Sequence, residues 1–225
     1  MLKRTITAEL IKRFNELLIK ILDSKKNKNY KEALDLIDNA FKDMFRLSLK
    51  FFNSFSVESL MDMVKVKGTI NTEKCIIIAK LLEEEGNILE IQGELDYSFY
   101  INQKSLSLFL NAYLNKRESC ELESYFSDID PLIEKICQYK LTCELQDKII
   151  KYYIRCHIYD KAENTVYELL QENNYNVRSL KYAIKFYEDL LSKDNDELSA
   201  GKLPRNEIMA SMSSLKSKLQ NSSSK

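Results

Sequence analysis

Small residues at helical spacing fill the middle of this 225-residue chain. Cys75, Ala79, Leu82, Gly86, Leu89 and Gly93 recur at intervals of 4, 3, 4, 3 and 4. After a short break, Ser98, Ile101, Ser105, Leu108 and Ala112 recur at 3, 4, 3 and 4. Each set lies on one face of a helix. Small side chains alternating with larger apolar ones let two backbones approach, so the stripes predict two antiparallel helices packed close together.

Gly86 decides how the first stripe is read. A glycine often ends a helix. Here Glu83-Glu84-Glu85 precedes it, and three carboxylates in a last turn would oppose the helix dipole. The stripe also continues in phase through Leu89. Gly86 is therefore read as internal, at a cost of about 1 kcal/mol relative to Ala that close packing would explain. Gly93, followed by Glu94-Leu95-Asp96, is the turn.

The rest of the chain reads as helix. It holds four Gly and two Pro, so few positions can break one. No sustained period-two alternation or Asn-Gly hairpin turn occurs. Helices are predicted over 5–22, with Ile6, Leu10, Phe14, Leu17 and Ile21 inward, and over 30–53 as one long element. Ser56 caps a short helix carrying Leu60, Met63 and Val64. Further helices follow over 73–92 and 97–115, with a short one around Tyr125. Asp130-Pro131 starts another, Asp as cap and Pro at the first position. Thr142 caps 143–156; 159–172 and 177–193 come next. Ser192–Lys202 reads as an exposed loop. Pro204 opens a last helix with Ile208, Met209, Met212, Leu215 and Leu219 on one face. One α-helical domain is expected over 1–219, with 116–130 as the stretch where it could divide, and 220–225 as a disordered tail.

Composition narrows the function classes. Lys plus Arg and Asp plus Glu number 34 each, so no net charge draws the chain to nucleic acid or an anionic membrane. No apolar run approaches the roughly 20 residues that span a bilayer. Cys75, Cys120, Cys137, Cys143 and Cys156 are odd in number and irregular in spacing, which suits the cytoplasm. Abundant Lys, Asn and Ile with no Trp is a bias of AT-rich bacterial genomes.

Three segments share one arrangement, a turn followed by a helix with a small residue in its first turn. Asn29-Tyr30-Lys31-Glu32-Ala33 leads to Ala40, Leu95-Asp96-Tyr97-Ser98 to Ser105, and Tyr159-Asp160-Lys161-Ala162 to Leu169. Here the chain resembles the tetratricopeptide repeat family. Gly86, Leu89, Gly93, Leu95, Ser98 and Ser105 fall where that family places its packing residues. Glu85, Asn102 and Leu110 depart from it, standing where a Leu, an aromatic and a Pro are usual. The chain is also similar to an uncharacterised tetratricopeptide-like family of Firmicutes and Clostridia, a domain of unknown function, on Asn29–Phe41 and Glu73–Leu114. The resemblance implies an all-α, right-handed superhelix of stacked helix pairs and no known activity. In the tetratricopeptide family the inner helix shows polar residues to a concave groove. Carried onto this chain, those positions are Lys80, Glu83, Asn87 and Glu90.

Catalytic signals are weak throughout. His157 adjoins Cys156, but adjacent helical side chains diverge by about 100°, so the pair is not read as a thiolate couple. The cysteines lack zinc spacing and are expected as small core residues. Glu83–Glu85 reads as a solvated helix face, and Lys25–Lys28 as a solvated turn. Of the many tyrosines, Tyr152, Tyr153 and Tyr182 are expected to be partly exposed. No metal or cofactor is expected. The sequence thus points to a non-enzymatic scaffold for a protein or peptide, with a homo-oligomer through the Ile208–Leu219 face as the alternative.

Overall fold

The computed structural model describes residues 2–66, 68–116 and 120–223, with side chains described from 7 to 221 within those ranges. Apart from one minimal hairpin the described elements are helical. The chain divides into two compact units, Met1–Lys140 and Leu141–Lys225. The boundary falls after Lys140, beyond the 116–130 stretch where the sequence left room for it.

The first unit holds α1 (Leu2–Lys26), α2 (Tyr30–Phe45), α3 (Leu49–Ser54) and α4 (Val57–Met63). Next come β1 (Lys65–Val66), β2 (Thr69–Ile70), α5 (Thr72–Ile91) and α6 (Leu95–Asn115), then a 3-10 helix (Glu123–Asp128) and α7 (Ile129–Ile136). α5 runs unbroken through Gly86, and Gly93 takes a left-handed φ of 83° in the turn. The two small-residue stripes face each other. Ser98 Oγ donates to Gly86 O (2.8 Å), Ser105 Oγ to Ala79 O (2.7 Å) and Cys75 Sγ to Leu108 O (3.2 Å). A short side chain reaches a neighbouring helix's backbone only where the helices lie close, as glycine, alanine and serine permit here.

From Cys75 to Leu89 every residue of α5 except Asn87 is buried, because α1 and α2 also pack on it. α5 is thus the axis of the unit. Glu83, Glu84 and Glu85 are 9%, 2% and 3% exposed, not the solvated face expected of a charge run.

Local differences from the expected helices have local causes. α1 extends to Lys26 and buries Ile11, Phe14, Leu18 and Ile21, while Leu10 and Leu17 are half-buried. The side chain of Ile6 lies outside the described residues. The expected 30–53 helix breaks in two. Arg46 adopts a left-handed φ of 61° with its N–H on Lys42 O, and Ser48 then caps α3 by accepting from Phe51 N. Asp38 Oδ1 also accepts from Leu49 N (2.8 Å), fixing the corner. A two-residue hairpin pairs Lys65 with Ile70 and Val66 with Thr69. α7 starts at Ile129, so Asp130 lies in its first turn and not at its cap. Pro131 is tolerated there because a first-turn N–H has no helical partner to lose.

The second unit holds α8 (Cys143–Arg155), α9 (Tyr159–Glu172), α10 (Val177–Leu191), α11 (Asn195–Ala200) and α12 (Arg205–Ser223). Thr142 and Asn176 cap α8 and α10 through their side chains. α8 packs on α9, and α10 on α12. α11 replaces part of the expected loop: Asp194 Oδ1 accepts from Glu197 N (2.8 Å) and Leu198 is fully buried. In α12, Ile208 and Leu215 are buried, but Met209 is 55% exposed. The helix continues through Gln220–Ser223, and residues 224 and 225 lie outside the described residues. Tyr152 and Tyr153 are buried; Tyr182 is half-buried. Of the cysteines only Cys75 is buried, and Cys143 is exposed. Among the described residues no helix is long and apolar enough to cross a membrane.

Candidate functional site

The polar row of α5 is already occupied from within its own unit. Lys80 and Glu83 are each 9% exposed. Lys80 Nζ reaches Glu83 Oε2 (2.8 Å), Glu84 Oε1 (3.0 Å) and Asp128 Oδ2 (2.9 Å) at the end of the 3-10 helix. Lys25 of α1 pairs with the same Glu84. Farther along, Lys135 of α7 donates to Asn87 Oδ1 and Glu90 Oε2, both at 2.6 Å. The four predicted residues therefore share a face, but the face packs against the 3-10 helix and α7.

Electrostatics follow from that enclosure. Two ammonium groups, Lys80 and Lys25, meet three carboxylates, Glu83, Glu84 and Asp128. Burial opposes the charge on Lys80, but Glu83 and Glu84 outweigh it and hold the group above the ordinary lysine range. Burial pushes Glu83 up to about 7 against the pull of Lys80. An excess of buried negative charge is relieved most cheaply by a proton on one carboxylate.

A second cluster lies on the same helix. Glu85 Oε1 accepts from Asn53 Nδ2 at 2.6 Å, and that nitrogen also reaches the Tyr97 hydroxyl at 3.1 Å. Lys104, 4% exposed, donates to the Phe52 and Asn53 carbonyls (3.0 and 2.8 Å) and sits over the Tyr100 ring. Burial pushes Glu85 up to about 7, opposed by the Asn53 bond and Lys104.

The second unit contains an open cleft of about 430 Å³. Its walls are the first turns of α8 and α10, with Cys143, Glu144, Asp147, Arg178, Ser179 and Tyr182 among the lining residues. The end of α9 closes it with Asn173 and the buried Leu169. Asp147 takes Tyr182 OH (2.8 Å) and Lys151 (2.6 Å), and Glu144 pairs with Lys148 (2.8 Å). Burial and the Asp147 carboxylate hold the Tyr182 phenol above its usual range. Asn173 Nδ2 approaches the Cys143 sulfur at 3.5 Å. Arg178 is exposed and makes no ion pair among the described residues. The cleft thus has an apolar floor, compensated carboxylates and one uncompensated cation.

Sequence reasoning did not find this cleft. Its residues come from three helices, and only the Thr142 cap marked one of its edges. His157, not read as a thiolate partner of Cys156, is 62% exposed and meets Glu197 Oε1 (3.0 Å) and Tyr159 OH (2.9 Å).

Fold and sites together define an all-helical protein of packed helix pairs, with a buried ionic axis and a polar cleft. A family of unknown function, DUF6483, matches residues 1–220, and the chain belongs to that family. No curated protein and no solved structure matches it.

Proposed function

We propose that this protein is a non-enzymatic, tetratricopeptide-like scaffold that binds a peptide or a segment of another protein in the cleft of its second unit. The cleft is the observation that carries the reading. About 430 Å³ bounded by three helices, with Leu169 as floor and Arg178 uncompensated at the rim, suits a few side chains of an extended segment. The resemblance around Gly86–Ser105 supports the repeat architecture. The α5 row Lys80, Glu83, Asn87 and Glu90 is a poorer seat, since Asp128 and Lys135 already hold it. A bacterial cytoplasmic setting suits the five free cysteines and the composition. Zero net charge gives no general attraction for nucleic acid or membranes.

The alternative, a homo-oligomer through α12, retains exposed Met209, but Ile208 and Leu215 are already buried within the unit. Selection of a displayed random-peptide library against the full chain tests the reading. Selected peptides should bind the wild type and lose at least about tenfold affinity for Arg178→Glu. Equal binding to both forms would place the seat elsewhere.

A further inference from the structure

Glu85 and Asn53 leave two hydrogen-bond acceptors stranded. One edge of their contact is made, Asn53 Nδ2 donating to Glu85 Oε1 at 2.6 Å. Glu85 Oε2 and Asn53 Oδ1 are both buried, and neither has a partner. A carboxylate cannot repair this, because it only accepts. A carboxylic acid can, because it brings a donor.

We propose that Glu85 and Asn53 form a proton-gated latch: Glu85 carries a hydrogen on Oε2 that it donates to Asn53 Oδ1, and release of that proton to solvent frees the C-terminal end of α3 from α5. With the first edge in place, the second closes an acid–amide ring and satisfies both stranded atoms with one proton.

The surroundings suit a neutral group. From α6, Lys104 and Tyr97 face Glu85. Lys104 is spent on the Phe52 and Asn53 carbonyls and makes no ion pair with Glu85 among the described residues. Tyr97 contributes a hydroxyl that shares the Asn53 nitrogen. α3 offers an uncharged amide. Asp38 and Lys42 of α2 pair with each other, Asp38 also holding the opposite end of α3. Lys25 of α1 is taken by Glu84. Burial pushes Glu85 up to about 7, so the latch responds near neutrality.

Ionised Glu85 has two ways to recover a donor. The Asn53 amide can turn, breaking its contact with Tyr97, or Lys104 can leave the α3 carbonyls for the carboxylate. Both loosen Asn53–Phe55, while fully buried Phe52 keeps the rest of α3 in place. The surface that shifts is aromatic: Phe55, Tyr97 and Tyr100 are 37%, 43% and 43% exposed.

The test is a carbon-13 NMR titration of the Glu85 side-chain carboxyl in the full wild-type chain, assigned through its own backbone. The midpoint should lie within about a unit of 7, and the Asn53 side-chain amide signals should move with the same midpoint. Exchange of the Asn53 to Phe55 amides, corrected for base catalysis, should rise severalfold across it. Glu85→Gln is the second arm. Its amide can donate to Asn53 Oδ1 permanently, so those signals should become independent of pH. A Glu85 midpoint in the ordinary range near 4.5, or an Asn53 amide that still titrates in Glu85→Gln, would overturn the latch.

Discussion

The carboxamide of Asn102 fills the space that a side chain on Gly86 would need. A Cβ at residue 86 would lie 2.6 Å from Asn102 Cγ and 2.9 Å from its Nδ2. Asn102 is itself 1% exposed and tied to Ser98 Oγ at 3.1 Å, and the space beside it is only about 20 Å³. Gly86 is therefore required by packing, within a regular helix.

Gly86→Ala sets two effects against each other. The alanine gains about 1 kcal/mol of helix propensity, and overpacking costs about 1–3 kcal/mol. Because Asn102 has so little room, overpacking wins, with a net loss of up to about 2 kcal/mol. Denaturant unfolding of Gly86→Ala, Asn102→Ala and the double variant checks this. The double variant should be more stable than the sum of the singles requires, by at least about 0.5 kcal/mol.

Stability should fall as pH rises through the window set by Glu85. Its ordinary value is 4.5, and burial moves it to about 7 in the folded protein. Between these values the folded state holds the proton more tightly than the unfolded state, so raising the pH favours unfolding. The full effect is on the order of 3 kcal/mol, complete above about pH 7. Glu83, also raised to about 7, acts in the same direction. Glu85→Gln should flatten the urea-midpoint profile in part, leaving the share due to Glu83. An unchanged slope would contradict the assignment.

Lys80→Met should be among the most damaging substitutions in the chain. It removes the ammonium shared by Glu83, Glu84 and Asp128 and leaves Lys25 alone to oppose them. Stranding buried charge in this way costs about 3–5 kcal/mol. The loss should shrink in acid, where the carboxylates take up protons, and thermal unfolding at two pH values would show it.

How much of this could be read from the sequence depends on the range of each interaction. The stripes around Gly86 and Ser105 were legible because spacing of small residues along one helix directly limits how far its neighbour can stand. The dipole argument at Glu83–Glu85 correctly carried α5 through Gly86, yet the same residues were misread as solvated. A charge run normally faces water, and nothing local reveals that Lys25 and Asn53 will reach it from other helices. Lys80, three and four positions before Glu83 and Glu84, was the one local hint of internal pairing. The break at Arg46–Ser48 was hidden because a left-handed arginine has no compositional mark. α11 was missed because six residues held by Asp194 and Leu198 show too little periodicity. The cleft needed three helices to be placed first.

The α8–α10 cleft carries the functional account, and its exposed thiol offers a direct reading. Alkylation of Cys143 by iodoacetamide, followed by mass mapping, should slow at least about tenfold when a library-selected peptide saturates the protein. The same peptide should leave Cys143 unprotected in Arg178→Glu. A bound peptide that does not alter the Cys143 rate in the wild type would contradict the account.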